Sequence, residues 1–297
     1  MSFIIGKKQL RTILFFADTK VSIDIIDDTI SGGNKMRVNP MQGILKTYIL
    51  NSKLCISFAG KVENCLNIIQ KCKEIELPNI PFFLQNELLI SNDDNSEFIV
   101  GISEISKTFM YKINSSTIEQ GETFWTGEKE GFKEYQTYFH NPENYCENKF
   151  TQAGNAFNEL IQNTKVMSIG DFIVETVYEV DLNSFIYCER MQGFRGERVI
   201  QIKQQETTAL DIQGSNEIGS FHVSNLVSRN PNKPAVAIYF QLANSGILFT
   251  PEYCLKNNGC GEIFTGSDIN QFVKEIYDKY EIKIEGFTLI NSRIVKI

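Results

Sequence analysis

At Ala59-Gly60 the hydrophobic period of the chain changes. Before it, GILKTYILNSKLCISFAG (residues 43–60) reads as two strands about a turn at Asn51-Ser52. After it, Val62, Cys65, Leu66, Ile68, Ile69 and Cys72 recur at helical spacing, with Lys and Glu between them. A strand pair that runs through Ala-Gly straight into an amphipathic helix asks for a sheet with a helix laid across it. More strand-like runs precede this unit, at residues 3–5, 13–17 and 20–26, punctuated by Asp27-Asp28 and Ser31-Gly32-Gly33-Asn34.

Downstream, residues 81–92 fit helix or strand equally, and residues 97–102 and 107–113 read as a hairpin. A strand then leaves through Thr126-Gly127 into a helix with Phe132, Tyr135 and Phe139 on one face. Helices are expected over 150–163 and over 169–180, the second with Ser168 and Asp171 spaced as a capping box. Strands resume after Asp181, at 185–191, 199–203, 219–227, 235–242 and 246–250. A helix capped by Ser267-Asp268 and a closing strand at 283–290 end the chain. Runs of strands followed by runs of helices favour a layered α+β fold, with antiparallel sheets sandwiched between helices. Residues 1–195 read as the principal domain. Residues 196–297 read as a C-terminal extension of strands plus one helix, packed on the same domain; the polar stretch 204–219 is the candidate boundary or surface loop.

Charge narrows the partners. With 29 basic against 36 acidic residues the chain carries a net −7, and no basic run segregates that charge, so neither nucleic acid nor an anionic membrane surface is expected. No stretch approaches the roughly 18 apolar residues of a membrane span, and Lys7, Lys8 and Arg11 break up any secretory leader. The seven cysteines lack CxxC spacing and read as reduced, mostly buried thiols of a cytoplasmic protein. Only His140 and His222 are available as histidines, so a His-rich metal site is not expected, nor is any cofactor.

One chemistry suits so few histidines. An N-terminal serine, here Ser2 after removal of Met1, can hand its hydroxyl proton to its own α-amine, whose pKa is about 8. Such a site needs a buried cation, a carboxylate to hold it and a backbone N–H for the oxyanion. Asp18 ends the second strand of the opening hairpin, Lys46 begins the strand 47–50, and Gly60 sits at the strand-to-helix junction.

This order resembles the proteasome β subunits and their bacterial relatives, the N-terminal nucleophile (Ntn) hydrolases. Asp18 follows Ser2 by sixteen residues, and in KTYILNSKLCISFAG Lys46 precedes Gly60 by fourteen, both at the family's intervals. EVDLNS echoes a later Asp-x-x-Ser of the family, and the resemblance implies that Asp181 and Ser184 stand beside the nucleophile. It covers residues 2–72 closely, 120–190 weakly, and nothing beyond about 195. The chain departs from the family in having Ser for Thr and an insertion at 31–42, which makes Lys35 a rival to Lys46. It also has Glu128-Lys129 where Gly-Ser-Gly is usual. The resemblance implies a four-layer αββα sandwich and hydrolysis of a peptide or amide substrate by a serine- or threonine-type peptidase. It also implies assembly into homo-oligomers. The alternative is a catalytically inactive proteasome-like scaffold.

Overall fold

A computed structural model of the chain describes residues 2–19, 36–38, 43–164, 166, 168–170, 172–195, 198–200, 220–241, 244–290 and 293–297. Expectations for residues 20–34, for Lys35 and for the stretch 204–219 lie outside the described residues. The fold is mixed α and β, with several antiparallel sheets and helices.

The opening hairpin is β1 (Phe3–Gln9) and β2 (Thr12–Asp18); β3 (Met36–Val38) is short. The next hairpin, β4 (Thr47–Asn51) and β5 (Leu54–Ala59), leads into α1 (Val62–Lys71), as the change of period predicts. The ambiguous segment is helical, α2 (Ile80–Ile90). Then follow β6 (Glu97–Ser103), β7 (Thr108–Ile113), β8 (Ile118–Gln120), β9 (Thr123–Gly127), α3 (Lys129–Phe139) and α4 (Lys149–Asn163). The remaining elements are β10 (Ile173–Glu179), β11 (Ser184–Tyr187), β12 (Arg190–Arg195), β13 (Arg198–Ile200), β14 (Ser220–Ser228), β15 (Val236–Phe240), β16 (Ser245–Phe249), α5 (Pro251–Lys256), β17 (Glu262–Thr265), α6 (Ile269–Tyr280), β18 (Ile284–Glu285), β19 (Phe287–Ile290) and β20 (Arg293–Lys296).

The expected helix over 169–180 is instead the strand β10. Its burial alternates from Val174 onward, and Ile, Val, Thr and Tyr supply the β-branched and aromatic side chains that suit a pleated surface.

One sheet has the order β11-β10-β2-β1-β9, and a second β4-β5-β6-β7-β8. Alternation along β1 and β2 divides their side chains between two neighbours. Phe3 and Phe16 both stack on Phe157 of α4, with ring centroids 5.7 Å apart in each case. On the other face, Gly6 lies under Met110 and Ile99, and Gly101 under Phe15 and Phe185, so the two sheets meet directly. Helices α1 and α2 lie against β5, β7 and β8 of the second sheet.

The C-terminal strands build a third sheet, β12-β14-β15-β16-β17, with β18 on β14. Val223, Val236, Ile238, Phe249 and Cys254 join the same apolar core as the first two sheets. A smaller cluster under α6 gathers Phe272 and Ile276 against Tyr239 and Leu248. Asp268 caps α6 by accepting from the Asn270 and Gln271 N–H groups. Among the described residues no helix is long and apolar enough to cross a membrane.

Candidate active site

Asp18 and Lys46 form a buried ion pair. Lys46 Nζ donates to Asp18 Oδ1 at 2.8 Å, and both side chains are 0% exposed. The same Oδ1 accepts from the Phe3 backbone N–H at 2.9 Å, the peptide bond that joins Phe3 to Ser2. Asp18 Oδ2 accepts from Gly170 N–H at 3.4 Å. Two backbone donors and one ammonium thus converge on a single carboxylate, which is the condition under which a buried charge is tolerated.

The chain order explains why these distant groups meet. Beyond β2, Thr19 is bonded to Phe172 in both directions, Thr19 N–H to Phe172 O at 3.0 Å and Phe172 N–H to Thr19 Oγ1 at 3.2 Å. Thr19 O also accepts from Ile44 N–H at 2.9 Å, and Leu45 N–H donates to Gly259 O at 2.9 Å. The segment before Lys46 is therefore clamped between the end of β2 and a loop of the C-terminal third. That loop contact has no counterpart in the sequence reading.

Ser2 is buried, and its carbonyl accepts from Glu128 N–H at 2.8 Å. Gly127, just before it, has φ +101°, and a Cβ there would stand 1.7 Å from Ser2 O. Gly127→Ala is expected to force the start of β1 away from this turn. Backbone strain of about 1–3 kcal/mol adds to the overlap, so thermal unfolding should begin several degrees lower; an unchanged Tm would contradict this packing. Glu128 in turn accepts from Ser168 Oγ at 3.1 Å. Ser168, expected as a helix cap, is instead a neighbour of the Ser2 turn.

Gly60 lies at the same end of the molecule. It follows Ala59, whose strand partner Glu97 accepts from Thr126 Oγ1 at 2.6 Å, and Thr126 is paired with Ile4. Gly60 has φ +130°, and a Cβ would meet Ser96 Oγ at 2.2 Å. Ser96 Oγ accepts from Lys61 N–H at 3.0 Å and donates to Asp93 Oδ2 at 2.7 Å, and Asn64 Nδ2 donates to the same oxygen at 2.7 Å.

Asp93, in the turn between α2 and β6, is buried and braces this junction. Burial by itself would raise the Asp93 pKa. The hydrogen bonds from Asn64, Ser96 and the Asn95 N–H, with nearby Lys61, outweigh it and hold the carboxyl below its ordinary value. The native state then binds this proton less tightly than the unfolded chain. Its stabilisation is complete above about pH 4 and is lost as pH falls through the lowered value. Asp93→Asn should therefore lose stability at pH 6, with the gap to wild type shrinking by pH 3 in urea titrations. A gap that stayed constant would assign Asp93 no such role.

Asp181 and Ser184 are not brought to this site. In the register, Ile173 lies opposite Asp18, while Ser184 lies opposite Glu179 at the other end of β10. Six strand residues separate those ends by about 20 Å. Asp181 is exposed in the 180–183 turn, and Ser184 Oγ is used locally, donating to Phe185 O at 3.0 Å. The group that does reach Asp18 from this part of the chain is the Gly170 N–H, just ahead of β10.

All seven thiols are free, and burial pushes Cys65 and Cys72 up to about 12, leaving little thiolate at neutral pH. Comparison with models of protein families and with curated proteins finds no match to this chain.

Proposed function

We propose that the chain is an N-terminal nucleophile amidohydrolase in which Ser2, freed by removal of Met1, attacks a peptide or amide carbonyl. The observation that carries this reading is the buried Lys46–Asp18 pair, bonded through Asp18 to the peptide N–H next to Ser2. The arrangement of the sheets supports the matching four-layer αββα architecture. Two five-stranded antiparallel sheets touch face to face, with α1 and α2 on one outer side and α3 and α4 on the other.

In this mechanism the neutral Ser2 α-amine takes the Oγ proton, directly or through a water, as Oγ bonds to the carbonyl carbon. Lys46 steadies the developing charge on Oγ, and Asp18 holds Lys46 in place. The Gly60 N–H receives the oxyanion. The amine then returns its proton to the leaving nitrogen, giving an acyl-serine. Water, deprotonated by the same amine, attacks the ester and regenerates Ser2. Peptide or amide substrates and homo-oligomeric assembly belong to the same proposal.

The test is intact mass of the untagged protein, followed by treatment with a β-lactone. A free Ser2 that gains one β-lactone adduct, mapped to its Oγ, supports the reading. Retained Met1, or a free Ser2 that stays unlabelled, removes it and leaves the inactive scaffold, in which the ion pair serves only to hold the hairpin.

A further inference from the structure

At the end of the molecule opposite Ser2 lies a cavity of about 350 Å³. It forms where three connections meet: the β1–β2 turn at Leu10-Arg11, the β6–β7 turn, and the β8–β9 link at Gly121-Glu122. Backbone bonds fix its walls. Lys8 N–H donates to Glu122 O at 2.7 Å, and Gly121 N–H to Met110 O at 3.1 Å.

Its charge runs against that of the chain. Lys8, Arg11 and Lys107 line it, and Glu122 is the one carboxylate-bearing residue among those lining it, in a protein with 36 acidic and 29 basic residues. Among the described residues none of the three cations has a carboxylate partner. Arg11 Nη2 reaches the Ile105 carbonyl at 3.5 Å, while Arg11 Nε is buried with no hydrogen-bond partner. A buried N–H of a permanently charged group left unbonded is costly, and it marks a site completed by something else. The guanidinium edge has the spacing to meet two oxygens of one oxyanion.

We propose that this cavity binds a small organic oxyanion, a phosphate ester or a carboxylate. Arg11 is the principal contact, and Lys8 and Lys107 are flanking charges. The volume holds on the order of ten water-sized groups, more than a bare ion fills. Ser106 and Gln120 on the lining supply further donors, and Leu10, 85% exposed, offers the ligand's carbon skeleton an apolar rim.

Calorimetric titration of the full chain with glycerol 3-phosphate, glutarate and inorganic phosphate tests the assignment, with chloride at matched ionic strength as control. Saturable binding of glycerol 3-phosphate or glutarate is expected, and whichever binds tighter identifies the phosphate or the carboxylate source. Binding should weaken at least tenfold in Arg11→Gln and in Lys107→Gln, fall with added salt, and tighten in Glu122→Gln. Lys107 is exposed, so its variant keeps the test open should Arg11→Gln fail to fold. Absence of saturable binding to all three probes, or binding that neither substitution weakens, overturns the proposal.

Discussion

Asp18→Ala is expected to destabilise the fold by about 3–5 kcal/mol, the cost of leaving one member of a buried ion pair without its partner. The substitution removes the carboxylate shared by the Lys46 ammonium and the Phe3 and Gly170 N–H groups. Lys46→Met should cost less. It leaves Asp18 two backbone donors and replaces the lysine stem with an apolar chain of similar length. The order of the two losses is therefore as informative as their size. Urea titrations of both variants and of the double variant provide the test. Coupling well above 1 kcal/mol is expected, because the groups are in contact. Two additive losses below 1 kcal/mol would mean that the pair is not buried as described.

Ser2→Ala should abolish β-lactone labelling, a fall of about a thousandfold or more in rate, with stability changed by less than about 1 kcal/mol. The fold uses Ser2 through its carbonyl and through the adjoining peptide N–H, both of which alanine keeps. Lys46→Met, compared under conditions where it is folded, should slow labelling by about 10²–10³. A pH profile adds an independent check. The α-amine works as a base only when neutral, so the labelling rate should rise with pH through about 8 and then level off. Labelling that persists in Ser2→Ala would place the reactive group elsewhere.

How far the sequence could be read depended on the range of the interactions involved. The period change at Gly60 and the hairpin around residues 51–53 rest on neighbours in the chain, and β4, β5 and α1 follow from them. The pairing of Lys46 with Asp18 was legible, but the choice of Lys46 over Lys35 could not be read from spacing. What holds Lys46 in place is the Thr19–Ile44 and Leu45–Gly259 bonding, which spans most of the chain.

The segment 169–180 shows the opposite failure. A local signal, Ser168 with Asp171, outweighed the β-branched run Ile173–Thr176. The placement of Asp181 and Ser184 beside Ser2 rests on the EVDLNS resemblance alone. Helical residues advance about 1.5 Å each and strand residues about 3.3 Å. As a strand, β10 spans about 20 Å and leaves Ser184 at its far end from Asp18. Asp93 is hidden from a local reading for a related reason: its partner Asn64 reaches it only when α1 folds against the 92–96 turn.

The Asp18 carboxylate ties residue 3 to residues 46 and 170, and Gly259 holds the segment in front of Lys46. During synthesis residues 3 and 18 emerge well before residues 170 and 259, so this cluster cannot close until those later residues have been made and have folded back. The closing of the Asp18 cluster is therefore timed by translation, and a nascent chain short of residue 170 lacks it. A ribosome-stalled fragment ending before residue 170 would carry the same first residues without the Gly170 bond that completes this cluster.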